Sequence, residues 1–498
     1  GKVGGVLAFA SDPAALTRLP GFSGEIDRGA LTLYLRHLYV PAPWCIYAGL
    51  RKLDPGHVLT VRSDCTGELP ESRAFWSVRG AAAAGLADPF TGTAAAAVDE
   101  LETLLADAVS QRLVSDVPLG AFLSGGVDSS TVVALMQKAS PTPVRTFSIG
   151  FAEAEFDEAT YAAAVARHLQ TDHTELIVSP GDCLDVIPQL PAMFSEPFAD
   201  SSQIPTFLVS RLARREVTVS LSGDGGDELF CGYHRYNFAR SLHRADGRVP
   251  GWLRAALAPA ARGVPVGVWD GLLGLAKPVR SDGRDFALTG DRMHKLAGVF
   301  GQRDFPAMYR ALVSLWTEPE RLVHGGHEPA TNLSGRQAPP PMDDVMGQVM
   351  FWDMINYLPD DILTKVDRAS MAVGLEARVP LLDHRVVEFA WRLPQSCKVR
   401  DGQGKWVLRR VLDRHVPREL IDRPKAGFAV PLAAWLRGPL REWAESLLEP
   451  AALEQAGLLD AREVRRLWDQ FLRGERHWQA QLWAILMFQA WQQHWSRR

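Results

Sequence analysis

Apolar and polar positions follow different rhythms along this chain, and the changes mark its parts. Short apolar runs at Val6–Ala10, Val58–Val61 and Phe75–Val78 predict strands, while Leu31, Leu33, Leu35 and Leu38 predict a helix over Asp27–Tyr39. Arg79–Ala97 is rich in Ala and Gly, carries no apolar period and reads as a linker. From Val98 to Leu229 helical and strand patterns alternate. Helices are predicted at Val98–Val114, Ser129–Lys138, Glu158–Leu169 and Ile204–Arg215. Strands are predicted at Pro118–Leu123, Val144–Phe151, His173–Val178 and Val217–Leu221. Such alternation implies βαβ units and an α/β fold, a parallel sheet covered on both faces.

From Tyr233 onward the strand signal fades. Residues 240–345 carry helical stretches broken by Pro and Gly, and Glu328–Pro341 is expected to be loose and disordered. The tail Leu440–Trp495 is helical. With no basic stripe beside them, Trp468, Trp478, Trp483, Trp491 and Trp495 are expected to pack helix on helix rather than stack on bases or face a membrane. The pairs Asp343-Asp344 and Asp360-Asp361 are expected at helix starts, where acids suit the dipole.

Composition narrows the function classes. At 498 residues the chain has room for about three domains. Lys and Arg number 54 against 58 Asp and Glu, a formal charge of −4 that argues against nucleic acid as the main partner. There is no CxxC pair, and His168, His173 and His234 are not at metal-ligand spacing with any Cys. Five separated cysteines do not make a disulfide scaffold, and no apolar run reaches membrane-spanning length. A globular, cytoplasmic protein is expected. The opening GKVGGVLAFASDP begins with Gly1, and its apolar run is too short for a signal peptide. The chain is expected to begin part-way into a domain.

The strongest chemical signal is Ser124-Gly125-Gly126-Val127-Asp128-Ser129-Ser130, directly after an apolar strand and before a helix. Two glycines permit a tight turn and close approach to an anion. Hydroxyls and the helix start then face that anion. Asp128 would repel phosphate unless it holds a Mg²⁺ that bridges the phosphates. No Lys follows the glycines, so this is not the GxxxxGK[ST] loop. The plain alternative is a glycine turn with a capped helix. A second segment, Ser222-Gly223-Asp224-Gly225-Gly226-Asp227-Glu228-Leu229-Phe230-Cys231-Gly232-Tyr233, repeats the combination after another strand, its plain alternative being a surface loop.

The first loop resembles the pyrophosphate-binding loop of the ATP pyrophosphatase family, whose members adenylate a carbonyl or carboxyl oxygen. With the second loop the chain resembles asparagine synthetases of the glutamine-hydrolysing type. Leu363–Asp383 (LTKVDRASMAVGLEARVPLLD) and Arg423–Phe428 (RPKAGF) resemble that family's substrate-side segment and its basic loop over pyrophosphate. FASDPAAL and YVPAPWCIYAGLRKLDPGH resemble the end of its glutaminase domain, where Asp12 stands in place of the usual Glu. The resemblance implies residues 1–80 as the remnant of an Ntn-type α+β glutaminase domain, 81–97 as a linker and 98–498 as the synthetase. It further implies a doubly wound parallel sheet like that of the adenine nucleotide alpha hydrolases, with large helical additions.

The resemblance also implies roles. Leu123, Ile149, Ser222 and Gly223 would line the adenosine pocket of ATP. Ser124, Gly125, Gly126, Asp128, Ser129 and Ser130 would cradle pyrophosphate, and Asp128 with Asp227 would hold Mg²⁺. Lys425 would neutralise the leaving pyrophosphate, and Asp224 would act in forming or consuming the acyl-adenylate unless it is a turn cap. Lys365, Asp367, Arg368, Glu376 and Asp383 would border the amino-acid substrate, an internal salt-bridge network being the alternative; Arg378 lies among them. The expected substrates are small molecules: aspartate or another carboxylate, with ammonia or, through the missing domain, glutamine. Neither nucleic acid nor membrane is expected as a partner, and a homodimer would fit the family.

One departure stands out. The family's glutaminase cysteine lies at the mature N-terminus, where this chain has Gly1, and Cys45, Cys65, Cys183, Cys231 and Cys397 lack its context. The chain as written is expected not to hydrolyse glutamine. The same departure keeps open specialised relatives such as β-lactam synthetases, lasso-peptide cyclases and natural-product amidotransferases.

Overall fold

The computed structural model describes residues 1–62, 70–151, 159–273, 279–281, 284–286, 289–422 and 430–496. Its centre is a five-stranded sheet of β1 (Leu119–Phe122), β2 (Arg145–Phe151), β3 (Asp172–Val178), β4 (Val219–Leu221) and β5 (Glu376–Arg378). The order is β5-β4-β1-β2-β3, and every neighbouring pair is parallel. Gly120 faces Arg145 on one side and Ser220 on the other. The chain therefore leaves β1 toward β2 and β3, then crosses back to lay β4 on the opposite side of β1. A ligand crevice opens at such a reversal, beyond the carboxyl ends of the strands. Both chemically loaded loops lie there, one following β1 and the other following β4.

Helices cover the sheet as the alternating pattern requires. Helix α1 (Arg28–His37) belongs to the N-terminal segment, and α2 (Val127–Ala139) leaves the first loop. Nine of the first ten α2 positions, Val127 and Ser129–Met136, are buried, which explains a weakly amphipathic sequence. Two segments depart from expectation. The stretch read as a linker is largely helical, since Val78–Ala87 forms one helix and another begins at Ala94. A Cβ added to Gly85 would lie 2.6 Å from the Trp391 backbone, so small residues here serve close packing and leave no apolar period. Glu328–Pro341 is tied down rather than loose: Glu328 pairs with Arg36 and Arg310, and Arg336 with Asp54.

Strand expectations in the first 80 residues shrink to two-residue pairings, Lys2–Val3 with Val6–Leu7 and His57–Val58 with Arg73–Ala74. The tryptophan-rich tail packs inward as expected. Trp468, Trp483 and Trp491 are buried in one core with Leu31, Tyr34 and Leu35 of α1. The Tyr34 hydroxyl donates to the Ala484 carbonyl at 2.7 Å across that core. No helix among the described residues is long and apolar enough to cross a membrane.

Candidate active site

Strand β1 runs into Leu123, whose N–H donates to the Phe147 carbonyl at 2.9 Å, and the chain then turns through Ser124-Gly125-Gly126. Gly125 has φ 69°, and a Cβ there would sit 2.8 Å from backbone atoms of Tyr161 and Ala162. Glycine alone lets the helix Ala159–Leu169 close against the turn. Gly126 precedes α2, whose first turn carries Asp128, Ser129 and Ser130. Ser124 Oγ lies 3.0 Å from Ser129 Oγ, which also accepts the Ser124 N–H at 3.2 Å. Ile149 is buried on the adjacent strand. Backbone donors at a helix start, hydroxyls beside them and an apolar wall together suit a nucleotide phosphate.

The second loop abuts the first. A Cβ on Gly223 would fall 2.6 Å from Ser129 N, and one on Gly226 would fall 2.4 Å from Asp128 Oδ1. The missing side chains let Asp128 and Asp227 converge. Between them sits Lys405, at the head of α3 (Trp406–Leu412). Its Nζ contacts Asp128 Oδ2 and lies 2.8 Å from Asp227 Oδ1. The placement is enforced by the backbone: Lys405 has φ 61° and its N–H donates to the Phe230 carbonyl at 2.7 Å. Burial alone would lower the Lys405 pKa, but the two carboxylates overcome it and hold the ammonium charged.

Four more ionisable groups, Asp224, Glu228, Lys365 and Asp200, extend outward from this centre. Burial pushes Asp224 up from the usual carboxylate range, while the Ser222 hydroxyl, which donates to it, and the Lys365 charge pull it back. Burial and the adjacent Asp227 push Glu228 up to about 7, and the Tyr233 hydroxyl donates to it at 2.7 Å. Lys365 donates to Asp200 Oδ2 and Ser202 Oγ, each at 2.8 Å. Burial opposes ionisation of Asp200, but Lys365 outweighs it and holds the carboxyl down at about 2.

The remaining sequence candidates do not join this cluster. Asp367 is exposed, and Glu376 is exposed with its carboxylate on Arg378 at 2.7 Å. Asp383 caps the helix His384–Arg392 and holds Arg385 at 2.9 Å and Arg112 at 3.2 Å. Arg368 reaches Asp12 of the N-terminal segment at 2.6 Å. For these residues the internal ion-pair reading is the one the geometry carries. Lys425 and the segment Arg423–Phe428 lie outside the described residues, as does Cys65. Asp344 does cap the helix Val345–Ile355, but Asp360 and Asp361 occupy a buried π-helical turn, Leu358–Leu363, inside a longer helical run. Cys45, Cys183, Cys231 and Cys397 are all buried.

Comparison with known proteins fits this geometry. The asparagine synthase family matches residues 100–493, and the glutamine amidotransferase domain family matches residues 2–76. A Mycobacterium tuberculosis protein, provisionally named a glutamine-hydrolysing asparagine synthetase, is 33% identical over 489 residues, covering 96% of this chain and 69% of the relative.

The chain belongs to the asparagine synthase family.

The Bacillus subtilis glutamine-hydrolysing asparagine synthetase 1 is 29% identical, with 94% of this chain and 69% of that protein covered. An amidase of Penicillium rubens is 24% identical over 83% of the chain and 63% of its own length. In this asparagine synthase family member, sequence reasoning missed Lys405, although a lysine between the turn Asp401–Gly404 and an apolar helix was a visible signal. Arg368 sits within a segment that resembles the family's substrate side, yet it pins the N-terminal segment. Arg368→Ala is expected to lower stability by about 1 kcal/mol, as loss of a partly exposed charged hydrogen bond does. Its KM for the acid substrate should stay within about twofold of the parent. Denaturant midpoints and steady-state kinetics check both, and a tenfold rise in KM would return Arg368 to the pocket.

Proposed function

We propose that the protein is an ATP-dependent amide-forming ligase that adenylates the side-chain carboxylate of aspartate and then forms asparagine with ammonia, which in the family normally comes from glutamine. The observation that carries this reading is the convergence of Asp128, Asp227 and Lys405 beneath two glycine loops at the sheet's reversal point. A carboxylate is a poor electrophile. In the proposed reaction its oxygen bonds to the α-phosphorus of ATP as the bond to pyrophosphate breaks. The amine nitrogen then bonds to the acyl carbon, AMP departs with the C–O electron pair, and the nitrogen loses a proton.

Each residue has a share in that chemistry. The N–H groups of the first loop and the start of α2 bind and orient the phosphates. Two oxygen donors already gathered around an ammonium group, with room secured by Gly226, suit a magnesium ion, which commonly uses one or two carboxylates and completes its shell with phosphate and water. Asp128 and Asp227 would hold it. Magnesium, when bound, would neutralise charge on the phosphates. Lys405 supplies a second positive charge beside the departing pyrophosphate. Asp224, largely buried and held above the usual carboxylate range, would accept the proton released by the amine.

Exchange of labelled pyrophosphate into ATP, scanned over amino acids with Mg²⁺ present, tests the reading. Exchange with aspartate supports it. Exchange only with another carboxylic acid would keep the mechanism and reassign the substrate, and no exchange with any acid would overturn it.

A further inference from the structure

The π-helical turn Leu358–Leu363 carries two adjacent carboxylates into the protein, with Asp360 8% and Asp361 3% exposed. A π turn inserted in a longer helix often marks a functional position. The two acids have different surroundings. Asp360 accepts the Ala42 N–H at 3.0 Å and lies within the field of Lys52. Asp361 shares a side-chain hydrogen bond with Asp200 and lies in the field of Lys365, while its Oδ1 is buried without a hydrogen-bond partner.

A charge count explains why that oxygen stands out. Lys365 Nζ already serves Asp200 Oδ2 and Ser202 Oγ, each at 2.8 Å. Asp200 also accepts the Ser202 N–H at 3.0 Å and its hydroxyl at 2.6 Å. The other cation nearby, Arg235, is committed to Asp353 at 2.6 Å. Two hydrogen-bonded carboxyl groups thus share one lysine, and the buried Asp361 Oδ1 is left with no donor, which is costly. What Asp361 Oδ1 lacks is a donor, and an N–H cation supplies both the donor and the charge that two adjacent carboxylates need to ionise together. Lys365 also acts on Asp224 of the second loop, so the deficit lies on the candidate active site's side of the turn.

We propose that Asp361 is the acceptor for a small ammonium group of a substrate, either the α-ammonium of the amino acid or the ammonium that supplies the amide nitrogen. The proposal rests on the ligase reading above. Burial and the neighbouring Asp200 push the Asp361 carboxyl up, and an arriving cation would reverse that preference. Asp361 would then bind and select without entering the bond-making step.

The test compares the full chain with Asp361→Asn, which keeps the side-chain shape, and with Asp361→Glu. Pyrophosphate exchange is measured with aspartate and with succinate, the same diacid without the amine, and amide formation is measured against ammonium chloride. If Asp361 holds the α-ammonium, Asp361→Asn raises the KM for aspartate tenfold or more and leaves succinate unchanged. If it holds the nitrogen donor, exchange is unchanged with both acids and the KM for ammonium rises tenfold or more. In either case Asp361→Glu recovers part of the loss while ATP binding is constant in all three proteins. Unchanged KM values, or equal losses with aspartate, succinate and ATP, would overturn the proposal. A parent chain silent with every acid would instead remove the ligase reading itself.

Discussion

Lys405→Met is expected to lower turnover roughly 100- to 1,000-fold, the size of effect seen when one preorganised charge-stabilising donor is removed. The same change should also destabilise the protein by about 3–5 kcal/mol, because it strips the cation from two largely buried carboxylates. These two losses separate with divalent metal. Where Lys405 no longer occupies the space between Asp128 and Asp227, magnesium binding to the folded chain should restore stability by mass action. Thermal unfolding with and without Mg²⁺, in the absence of nucleotide, reads this directly. A larger Mg²⁺-dependent rise in Tm for the variant than for the parent is the expected result. No Mg²⁺-dependent rise in the variant would show that Asp128 and Asp227 are not the metal carboxylates.

Gly223→Ala carries the second large effect. The added Cβ would meet Ser129 N at 2.6 Å and the Asp128 carbonyl carbon at 2.8 Å. Both are backbone atoms, so no side-chain rotation relieves the clash, and the two loops must move apart. Displacement by about an ångström at a reacting centre costs on the order of 100-fold in rate. Turnover and pyrophosphate exchange should fall together, while the far-ultraviolet circular dichroism stays that of the parent, because the clash is between the second loop and the first turn of α2 and not within a single helix or strand. Full activity in Gly223→Ala would mean that the loop contact is not part of the working geometry.

The sheet and the two loops were legible from the sequence because their determinants are local. Continuous apolar runs such as Leu119–Leu123 announce a buried parallel strand, and the glycine-acid loops follow them at once. The Ala-rich helix Val78–Ala87 escaped because its buried face is made of Ala81, Ala82 and Gly85, which give no apolar contrast. Lys405 escaped for a different reason: it lies 277 residues from Asp128, and no local pattern reports a partner across that separation. The acids and bases between Lys365 and Asp383 failed in the opposite way. Their segment's resemblance to the family's substrate side implies one pocket, but β5 and the cap at Asp383 direct them elsewhere, and only Lys365 turns toward the second loop. A pocket's choice of acid is set by side chains gathered from distant segments, which explains why the family was readable and the substrate was not.

The hydrophobic core shared by α1 and the C-terminal helices has a bearing on inheritance. Residues from the first fifty positions and from the last sixty interlock there, and the amidotransferase-like portion contributes Leu31, Tyr34, Leu35, Ile46 and Tyr47 to it. The two matched regions are therefore not cassettes. A lineage that exchanged or discarded the first would strip the cover from Trp483, Phe488 and Trp491 in the second. Change at one end must be answered by change at the other, which ties the evolution of the amidotransferase-like portion to helices at the far end of the chain.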